Sequence, residues 1–135
     1  MAVFNGVRLV SLAVLVLVSQ LDSASAAVRV FGLSARGLTG DGFENFLDPY
    51  LKVRCGSSFG QTESFDDNNN PTWSVEFNFP NCNRYDKLEV ELWDSDLFFD
   101  EYFGTCSENV MFKGVYSITC RGSEDTLFYS YELLE

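Results

Sequence analysis

Apolar and polar residues alternate along most of the chain after residue 27. Large apolar side chains recur at every second position in segments such as 28–33, 88–93 and 127–133. A period of two is typical of strands that bury one face and expose the other. The pattern predicts strands at 28–33, 50–55, 61–65, 73–79, 88–93, 102–106, 115–120 and 127–133. Eight short strands without a helical period predict an all-β fold, an eight-stranded antiparallel β-sandwich.

The first 26 residues follow a different pattern. Arg8 precedes an apolar run at 9–18, and small residues follow at 23–27. This order is typical of a secretory signal peptide. An apolar core of about ten residues is shorter than the ~20 needed to cross a bilayer, which disfavours a membrane anchor. We therefore expect 1–26 to be a signal peptide, and 27–135 to be a single secreted, extracellular domain.

Four cysteines lie in the expected mature domain. An even number of cysteines in a small secreted domain predicts disulfides rather than free thiols. The chain has no Cys-x-x-Cys spacing and no histidine, which disfavours a zinc site. Three pairings can be drawn. A turn-like sequence between Cys106 and Cys120 favours Cys106–Cys120, which leaves Cys55–Cys82.

The charge of the chain limits its function. The chain carries 20 acidic and 9 basic residues, for a net charge of −11. Nucleic acid is disfavoured as a partner because phosphate backbones are bound by surplus Lys and Arg. The absence of histidine removes the commonest general base. Paired carboxylates also serve glycoside hydrolysis, but no nucleophile and base pair is visible, so we expect no enzyme.

Two loops combine carboxylates with large apolar residues. The first acidic loop is 40–50 and the second is 93–104; no Lys or Arg lies within either. Calcium prefers six to eight oxygen ligands from carboxylates and backbone carbonyls on flexible loops. Carboxylates gathered without a cation would repel one another. The two loops therefore predict a calcium site, although acidic residues also occur as ordinary solvated turn residues.

Several stretches together resemble the C2 domain family. They are 33–38, 48–53, 70–73, 88–96 and 103–104. The sequence at 93–96, Gly104 to Cys106 and the cysteine at 120 look most like the C-terminal C2 domain of perforins, here without their pore-forming domain. The resemblance implies a C2-like sandwich. A first strand at 28 and a last strand ending at 133 imply the permuted type II topology.

The resemblance also implies a set of calcium ligands. The five acidic positions of the family fall on Asp41, Asp48, Asp94, Asp96 and one of Asp100 or Glu101. Counting back from the glycine at 104 favours Glu101, whereas the preference for aspartate favours Asp100. Ca²⁺ is the expected cofactor.

Apolar residues lie among these acidic positions. They are Phe43, Phe46, Leu47, Leu97, Phe98 and Phe99. Calcium bound at the acidic loops would let these side chains enter a phospholipid membrane surface. Without calcium, anionic lipid would repel a protein of this charge. Phe103 and Tyr102 are expected to cap the core instead. Two alternatives stay open: an extracellular protein-binding module that uses the same loops, and the targeting part of a membrane-active defence or toxin factor.

Overall fold

The computed structural model describes residues 28–39 and 46–134. Within these ranges the chain forms strands and connections, with no helix. The strands are β1 (Val28–Arg36), β2 (Pro49–Cys55), β3 (Ser58–Gln61), β4 (Thr72–Trp73), β5 (Phe77–Phe79), β6 (Lys87–Asp94), β7 (Glu101–Asn109), β8 (Gly114–Arg121) and β9 (Thr126–Leu133). The all-β prediction is confirmed. The proposed signal peptide lies outside the described residues.

Two antiparallel sheets pack against each other. One sheet has the order β4-β1-β9-β8, with β5 also paired to β1, and the other has the order β3-β2-β6-β7. The first strand pairs with the last, Val28 opposite Leu133 and Arg36 opposite Thr126. This pairing of the chain's first and last strands agrees with the expected permuted topology.

The core lies between the two sheets. β9 alternates partly exposed and buried residues along its whole length, and the inner faces of β1, β2 and β6 also follow the period of two. The largest fully buried side chains of the core include Tyr129, Tyr131, Leu33, Leu51 and Leu88. Burial raises the pKa of the Tyr129 and Tyr131 hydroxyls, since the charged phenolate is disfavoured in an apolar core.

The third predicted strand, 61–65, is wrong in position. Gly56, at φ 58°, lies in the left-handed region that favours glycine. It permits a two-residue turn after β2, so β3 begins at Ser58 and ends at Gln61. Beyond that point the hydroxyl of buried Thr62 accepts a hydrogen bond from the Leu51 N–H over 2.9 Å. The Thr62 N–H still donates to Leu51 O over 2.9 Å, but the Thr62 hydroxyl replaces a backbone carbonyl as the acceptor for the Leu51 N–H, and regular pairing ends there.

The fourth predicted strand, 73–79, is two short strands. β4 pairs with Leu33 and Ser34 of β1, whereas β5 pairs with residues 28–30. Between these two contacts β1 contains a register shift in its pairing with β9, from Phe31 to Ser34, with Gly32 at φ 64°. Such a β-bulge bends the strand locally and interrupts pairing. The partner strand is therefore broken at 74–76, and the described chain has nine strands instead of the predicted eight.

Two disulfides join strands of the sandwich to neighbouring segments. Cys55 at the end of β2 is bonded to Cys82, with the Cα atoms 5.2 Å apart. Cys106 of β7 is bonded to Cys120 of β8, with the Cα atoms 6.1 Å apart. The second bond connects the two sheets, because β7 and β8 belong to different sheets. Both pairs are those that the sequence favours.

The connections are divided between the two ends of the sandwich. The described parts of the first connection, 37–39 and 46–48, meet the 62–71, 95–100 and 122–125 connections at one end, through contacts such as Leu38 N–H to Asn69 O and Ser95 N–H to Asp48 O. The 56–57, 80–86 and 110–113 connections lie at the other end, where Tyr85 N–H donates to Val110 O. In the part of the chain that the structure describes, no helix is long and apolar enough to cross a membrane.

Candidate functional site

The bases of the two acidic loops are hydrogen-bonded to each other. Asp48 donates its backbone N–H to Asp94 Oδ1 over 2.8 Å, and its carbonyl accepts the Ser95 N–H over 2.9 Å. Asp48 lies just before β2 and Asp94 ends β6; these strands are adjacent, with Pro49 opposite Asp94. The register of two neighbouring strands therefore brings the two predicted ligands together.

Asp94 is at the centre of a group of carboxylates. Burial raises the pKa of the Asp94 carboxyl, the hydrogen bond from the Asp48 N–H opposes this rise, and the charges of Asp48, Asp96 and Asp100 raise it further. Like charges that share a site disfavour each other's ionised form. Three other predicted ligands, Asp48, Asp96 and Asp100, thus lie close enough to Asp94 for their charges to raise its pKa.

Asp100 is fixed by contacts both outside and within its own loop. Its Oδ2 accepts the Tyr50 hydroxyl over 2.5 Å, and its Oδ1 accepts the Asp96 N–H over 3.2 Å. The Tyr50 hydrogen bond lowers the pKa of the Asp100 carboxyl most, and the nearby Lys52 ammonium also lowers it. Burial and the Asp100 carboxylate together raise the pKa of Tyr50 to about 12. Lys52 itself lies over the Trp93 ring, 3.9 Å from its centroid.

The remaining predicted ligands have separate positions. Asp96 Oδ1 accepts the Leu97 N–H over 2.6 Å, which tightens the exposed turn of the second loop. Glu101 is the first residue of β7 and pairs in register with Asp94, but its side chain has no hydrogen bond to another described residue comparable to those of Asp100. Asp41 and Phe43 lie outside the described residues.

Three adjacent apolar residues project from the second loop. Leu97 is 94% exposed, and Phe98 and Phe99 are each 85% exposed. Phe46 of the first loop is 57% exposed. We call this surface, formed by Phe46 and residues 96–100, the tip. Exposed apolar residues that are contiguous in this way are unusual on a soluble domain and often mark a contact surface.

Leu47 departs from the expectation for the membrane-contacting residues. It is 3% exposed and belongs to the core. Its N–H donates to Asn69 Oδ1 and its carbonyl accepts the Asn68 N–H, which hold it against the sandwich. Adjacent residues in extended chain point opposite ways, so exposure of Phe46 directs Leu47 inward. Phe103 packs against the core, as expected, whereas Tyr102 is 51% exposed and lies edge-on to Trp93.

A third connection, 62–71, also supports the site, a role that was not predicted from the sequence. Asp67 donates its backbone N–H to Asp48 Oδ1 over 2.8 Å. Its φ of 49° lies in the left-handed region, which aspartate tolerates better than most residues. The local signal for this connection is the Asp-Asp-Asn-Asn-Asn run at 66–70, since aspartate and asparagine are common turn residues. Tyr50 lies at the end of the first acidic loop and at the start of a predicted strand, but neither placement predicts that its hydroxyl binds Asp100.

The donor set suits a hard cation. All of the described candidate ligands are carboxylates, and three negative side chains surround Asp94. Such oxygen donors are those that Ca²⁺ takes. Among the described residues, however, no group of three or more acidic, Cys or His side chains already has the geometry of a metal site. Carboxylate oxygens accept hydrogen bonds within the loops instead. A bound ion would compete with these hydrogen-bond donors for the same oxygens.

Comparisons with known proteins define the class. The C2 domain family matches residues 26–112. The chain is 30% identical over 110 residues to Perforin-1 of Rattus norvegicus, and 36% identical over 78 residues to Multiple C2 domain and transmembrane region protein 8 of Arabidopsis thaliana. These matches cover 79% and 57% of the chain, but only 20% and 8% of the respective relatives.

A solved structure described as that of a C2 domain gives the same result. It has a TM-score of 0.70 and 34% identity, with 80% of this chain and 97% of that one covered. The chain belongs to the C2 domain family. Its similarity to perforin-1 agrees with the resemblance found in the second acidic loop and the cysteines. C2 domains are typically binding modules, and the family includes domains that bind phospholipid membranes.

Proposed function

We propose that this C2 domain is a secreted module that binds phospholipid membranes through calcium held at its acidic loops. One observation carries the proposal: Leu97, Phe98 and Phe99 are 85–94% exposed beside the carboxylates around Asp94. An apolar loop and a cation-binding group at one end of a rigid sandwich can engage headgroup and acyl chain together. The two disulfides are compatible with an extracellular compartment.

The proposed ligands are Asp48, Asp94, Asp96 and Asp100, with Asp41 as the fifth position. Asp100 is preferred to Glu101 because its charge acts on Asp94 and because Tyr50 and Asp96 orient its carboxylate. When bound, Ca²⁺ would supply positive charge for lipid phosphate. Tyr50 and the backbone of Asp48 hold the carboxylates in place for that ion.

Electrostatics explains why an ion is needed. The chain has a net charge of −11, and the tip itself carries Asp96 and Asp100. An anionic membrane surface repels such a protein, at roughly 1 kcal/mol per charge near the surface. Neutralising the tip removes this barrier. Phe98 and Phe99 can then be transferred from water, and full burial of each is worth about 1.5–3 kcal/mol.

The test is co-sedimentation of the chain, recovered from a secretory host, with neutral and anionic phospholipid vesicles. We expect sedimentation in millimolar calcium and none in chelator. Phe98→Ser should reduce the bound fraction about tenfold, whereas Phe59→Ser, which removes a 54%-exposed ring from β3, should leave it unchanged. Mass spectrometry of the same secreted protein tests cleavage after Ala26.

Two results would contradict the proposal. Equal sedimentation with calcium and with chelator would remove the role of the ion. Calcium binding by calorimetry without any sedimentation would instead indicate that the tip contacts a protein. Release of a trapped dye from vesicles that bind the domain would indicate a membrane-damaging activity beyond attachment.

A further inference from the structure

A second exposed apolar surface lies at the end of the sandwich opposite the tip. Tyr85 is 62% exposed, Phe112 52% and Met111 40%. The rings of Tyr85 and Phe112 are in edge contact, with centroids 6.2 Å apart. Arg84 and Lys113 flank them in the chain and are also exposed. We call the surface formed by Arg84, Tyr85, Met111, Phe112 and Lys113 the basal patch.

The basal patch is held in shape by the chain beneath it. Tyr85 N–H donates to Val110 O over 2.7 Å, and Val110 N–H donates to Asp86 O over 2.8 Å. Met111 N–H donates to the hydroxyl of Tyr131, a buried residue, over 3.2 Å. These bonds join the 80–86 and 110–113 connections into one unit. A partner would therefore meet a preformed surface and would pay little to order it.

The backbone at Tyr85 is in an unfavourable conformation. Its φ of 71° is in the left-handed region, where a bulky side chain is an outlier. Such conformations cost of order 1–3 kcal/mol and tend to occur at functional positions. Here the unfavourable backbone conformation of Tyr85 holds its aromatic ring in solvent next to Phe112. Nothing in the packing of the core requires that ring, which is 62% exposed.

The basal patch has the opposite charge from the rest of the protein. Arg84 lies over the Phe112 ring, 4.9 Å from its centroid. Among the described residues, neither Arg84 nor Lys113 forms an ion pair. Two unpaired cations beside exposed aromatic rings thus occur on a chain of net charge −11. A partner that fits this surface would present carboxylates beside apolar side chains.

The tip of another molecule of the same protein has that chemistry. It presents Asp96 and Asp100 beside Leu97, Phe98 and Phe99, all exposed. We propose that the tip of one copy docks on the basal patch of a second copy. The carboxylates would face Arg84 and Lys113, and the rings of the tip would pack on Phe112 and Tyr85, where aromatic pairs and cation–π contacts add to apolar burial.

The geometry requires that this contact be intermolecular and head-to-tail. β6 runs from the basal end at Lys87 to the tip end at Asp94, so its eight residues separate the two surfaces by about 25 Å. A contact between different surfaces of identical chains is heterologous and leaves a free tip and a free basal patch on every pair. Repulsion between the bulk charges of the copies is screened over about 8 Å at physiological ionic strength.

The contact would affect the same tip for which membrane binding is proposed. A tip covered by a second copy cannot face lipid, while a copy docked on a membrane keeps its basal patch free. The self-association itself requires neither calcium nor lipid, so it can be tested apart from the proposed function. It also gives the three exposed residues of the tip an apolar partner when no membrane is present.

Complementation between two variants tests the proposal. Phe98→Ser with Phe99→Ser removes the tip but keeps the basal patch; Arg84→Glu with Phe112→Ser removes the basal patch but keeps the tip. In chelator, sedimentation velocity of the wild-type chain should show a mass that rises with concentration. Each double variant alone should associate at least tenfold more weakly. An equal mixture of the two should form a 1:1 dimer and nothing larger.

Other outcomes overturn the proposal. A wild-type chain that stays monomeric across the concentration range, or a variant mixture that stays monomeric, would assign the basal patch to a different partner. Unchanged self-association in the Arg84→Glu, Phe112→Ser variant would place the contact elsewhere. This variant should still sediment with vesicles in calcium, so loss of self-association is distinguished from loss of membrane binding. Phe59→Ser serves as the control for removal of an exposed ring.

Discussion

The buried ring of Tyr50 in β2 and the exposed carboxylate of Asp100 in the second acidic loop are joined by a 2.5 Å hydrogen bond, with the tyrosine hydroxyl as donor. Tyr50 is 3% exposed and stacks on Trp93, which lies opposite it in β6. The sheet thus fixes one end of a loop that otherwise projects into solvent. The core therefore sets the position of Asp100. Because Phe98 and Phe99 directly precede Asp100 in the chain, this anchor also restricts where their side chains can lie.

Tyr50→Phe should weaken calcium binding without unfolding the domain. The phenylalanine ring keeps the packing, but Asp100 loses the donor that orients it. Removal of such an outer partner of a metal ligand commonly costs about tenfold or more in affinity, and we expect about tenfold here. Calorimetric titration with calcium measures it.

A matched control exists at the basal end. Tyr116 donates its hydroxyl to Phe112 O over 3.1 Å, so Tyr116→Phe also deletes one tyrosine hydrogen bond. It should leave calcium affinity unchanged. Equal affinities of wild type and Tyr50→Phe would show that Asp100 is not a ligand and would favour Glu101.

Asp94→Asn should stabilise the calcium-free domain while removing calcium-dependent membrane binding. Asparagine keeps an oxygen to accept the Asp48 N–H, but it has no charge to be repelled by Asp48, Asp96 and Asp100. The pKa of Asp94 is raised above its ordinary value of 3.8. The folded state therefore holds its proton more tightly than the unfolded state, and ionisation of Asp94 destabilises the fold as pH rises through that raised pKa.

The pH dependence of this effect follows from its sign. Near neutral pH, in chelator, the variant should be more stable than wild type by about 0.5 kcal/mol, the scale of screened charge interactions at a partly exposed site. The difference should vanish as pH falls well below 3.8, where Asp94 is protonated in both the folded and the unfolded state. Thermal unfolding at several pH values measures it, and a variant less stable than wild type at neutral pH would contradict the assigned repulsion.

Leu47→Ala should destabilise the domain, whereas Leu97→Ala should not. Leu47 is 3% exposed in the core, and Leu97 is 94% exposed. Truncation of a buried leucine to alanine typically costs 2–5 kcal/mol, so we expect a loss of about 3 kcal/mol for Leu47. Leu97→Ala should change stability by roughly 0.5 kcal/mol or less. Denaturant unfolding in chelator compares the two variants. A small loss of stability in Leu47→Ala would indicate that Leu47 is exposed at the tip and not buried in the core.

The pair Leu47 and Leu97 also shows where sequence reasoning reaches its limit. Both residues lie among acidic positions, and composition alone does not separate them. The burial of Leu47 depends on Asn68 and Asn69 of a distant connection. Alternation along β6 and β9 was sufficient to predict the sandwich, because a strand with one buried face has a local signature. Contacts between loops leave no such signature.

The misplaced strands have the same origin. Thr62 ends β3 because its hydroxyl binds Leu51, and the break between β4 and β5 follows from the bulge at Gly32 in β1. Neither partner is near in sequence. The acidic positions Asp48 and Asp94 were predictable from the C2 resemblance, but the support of Asp100 by Tyr50 was visible only once the strands were in register.

Removal of the disulfides should have unequal effects. Cys55 and Cys82 are separated by 27 residues and Cys106 and Cys120 by 14. In the chain-entropy model these loops correspond to about 3.5 and 3 kcal/mol, respectively. Cys55 and Cys82 are also fully buried, while Cys120 is only partly buried. Replacement of Cys55 and Cys82 by alanine therefore adds the cost of a cavity within the core. The double variant Cys55→Ala, Cys82→Ala should be less stable than the variant without Cys106 and Cys120.

The second disulfide has a more specific role. Cys106–Cys120 links the edge strands β7 and β8, between which no backbone ladder runs because they belong to different sheets. Cys106→Ala with Cys120→Ala should thus lower the free energy of unfolding by about 3 kcal/mol, yet leave calcium affinity unchanged, since β7 remains paired to β6 at Asp94. Denaturant unfolding and calorimetry of both double variants test this. A greater loss of stability in the Cys106, Cys120 variant would mean that cohesion between the sheets outweighs the buried bond.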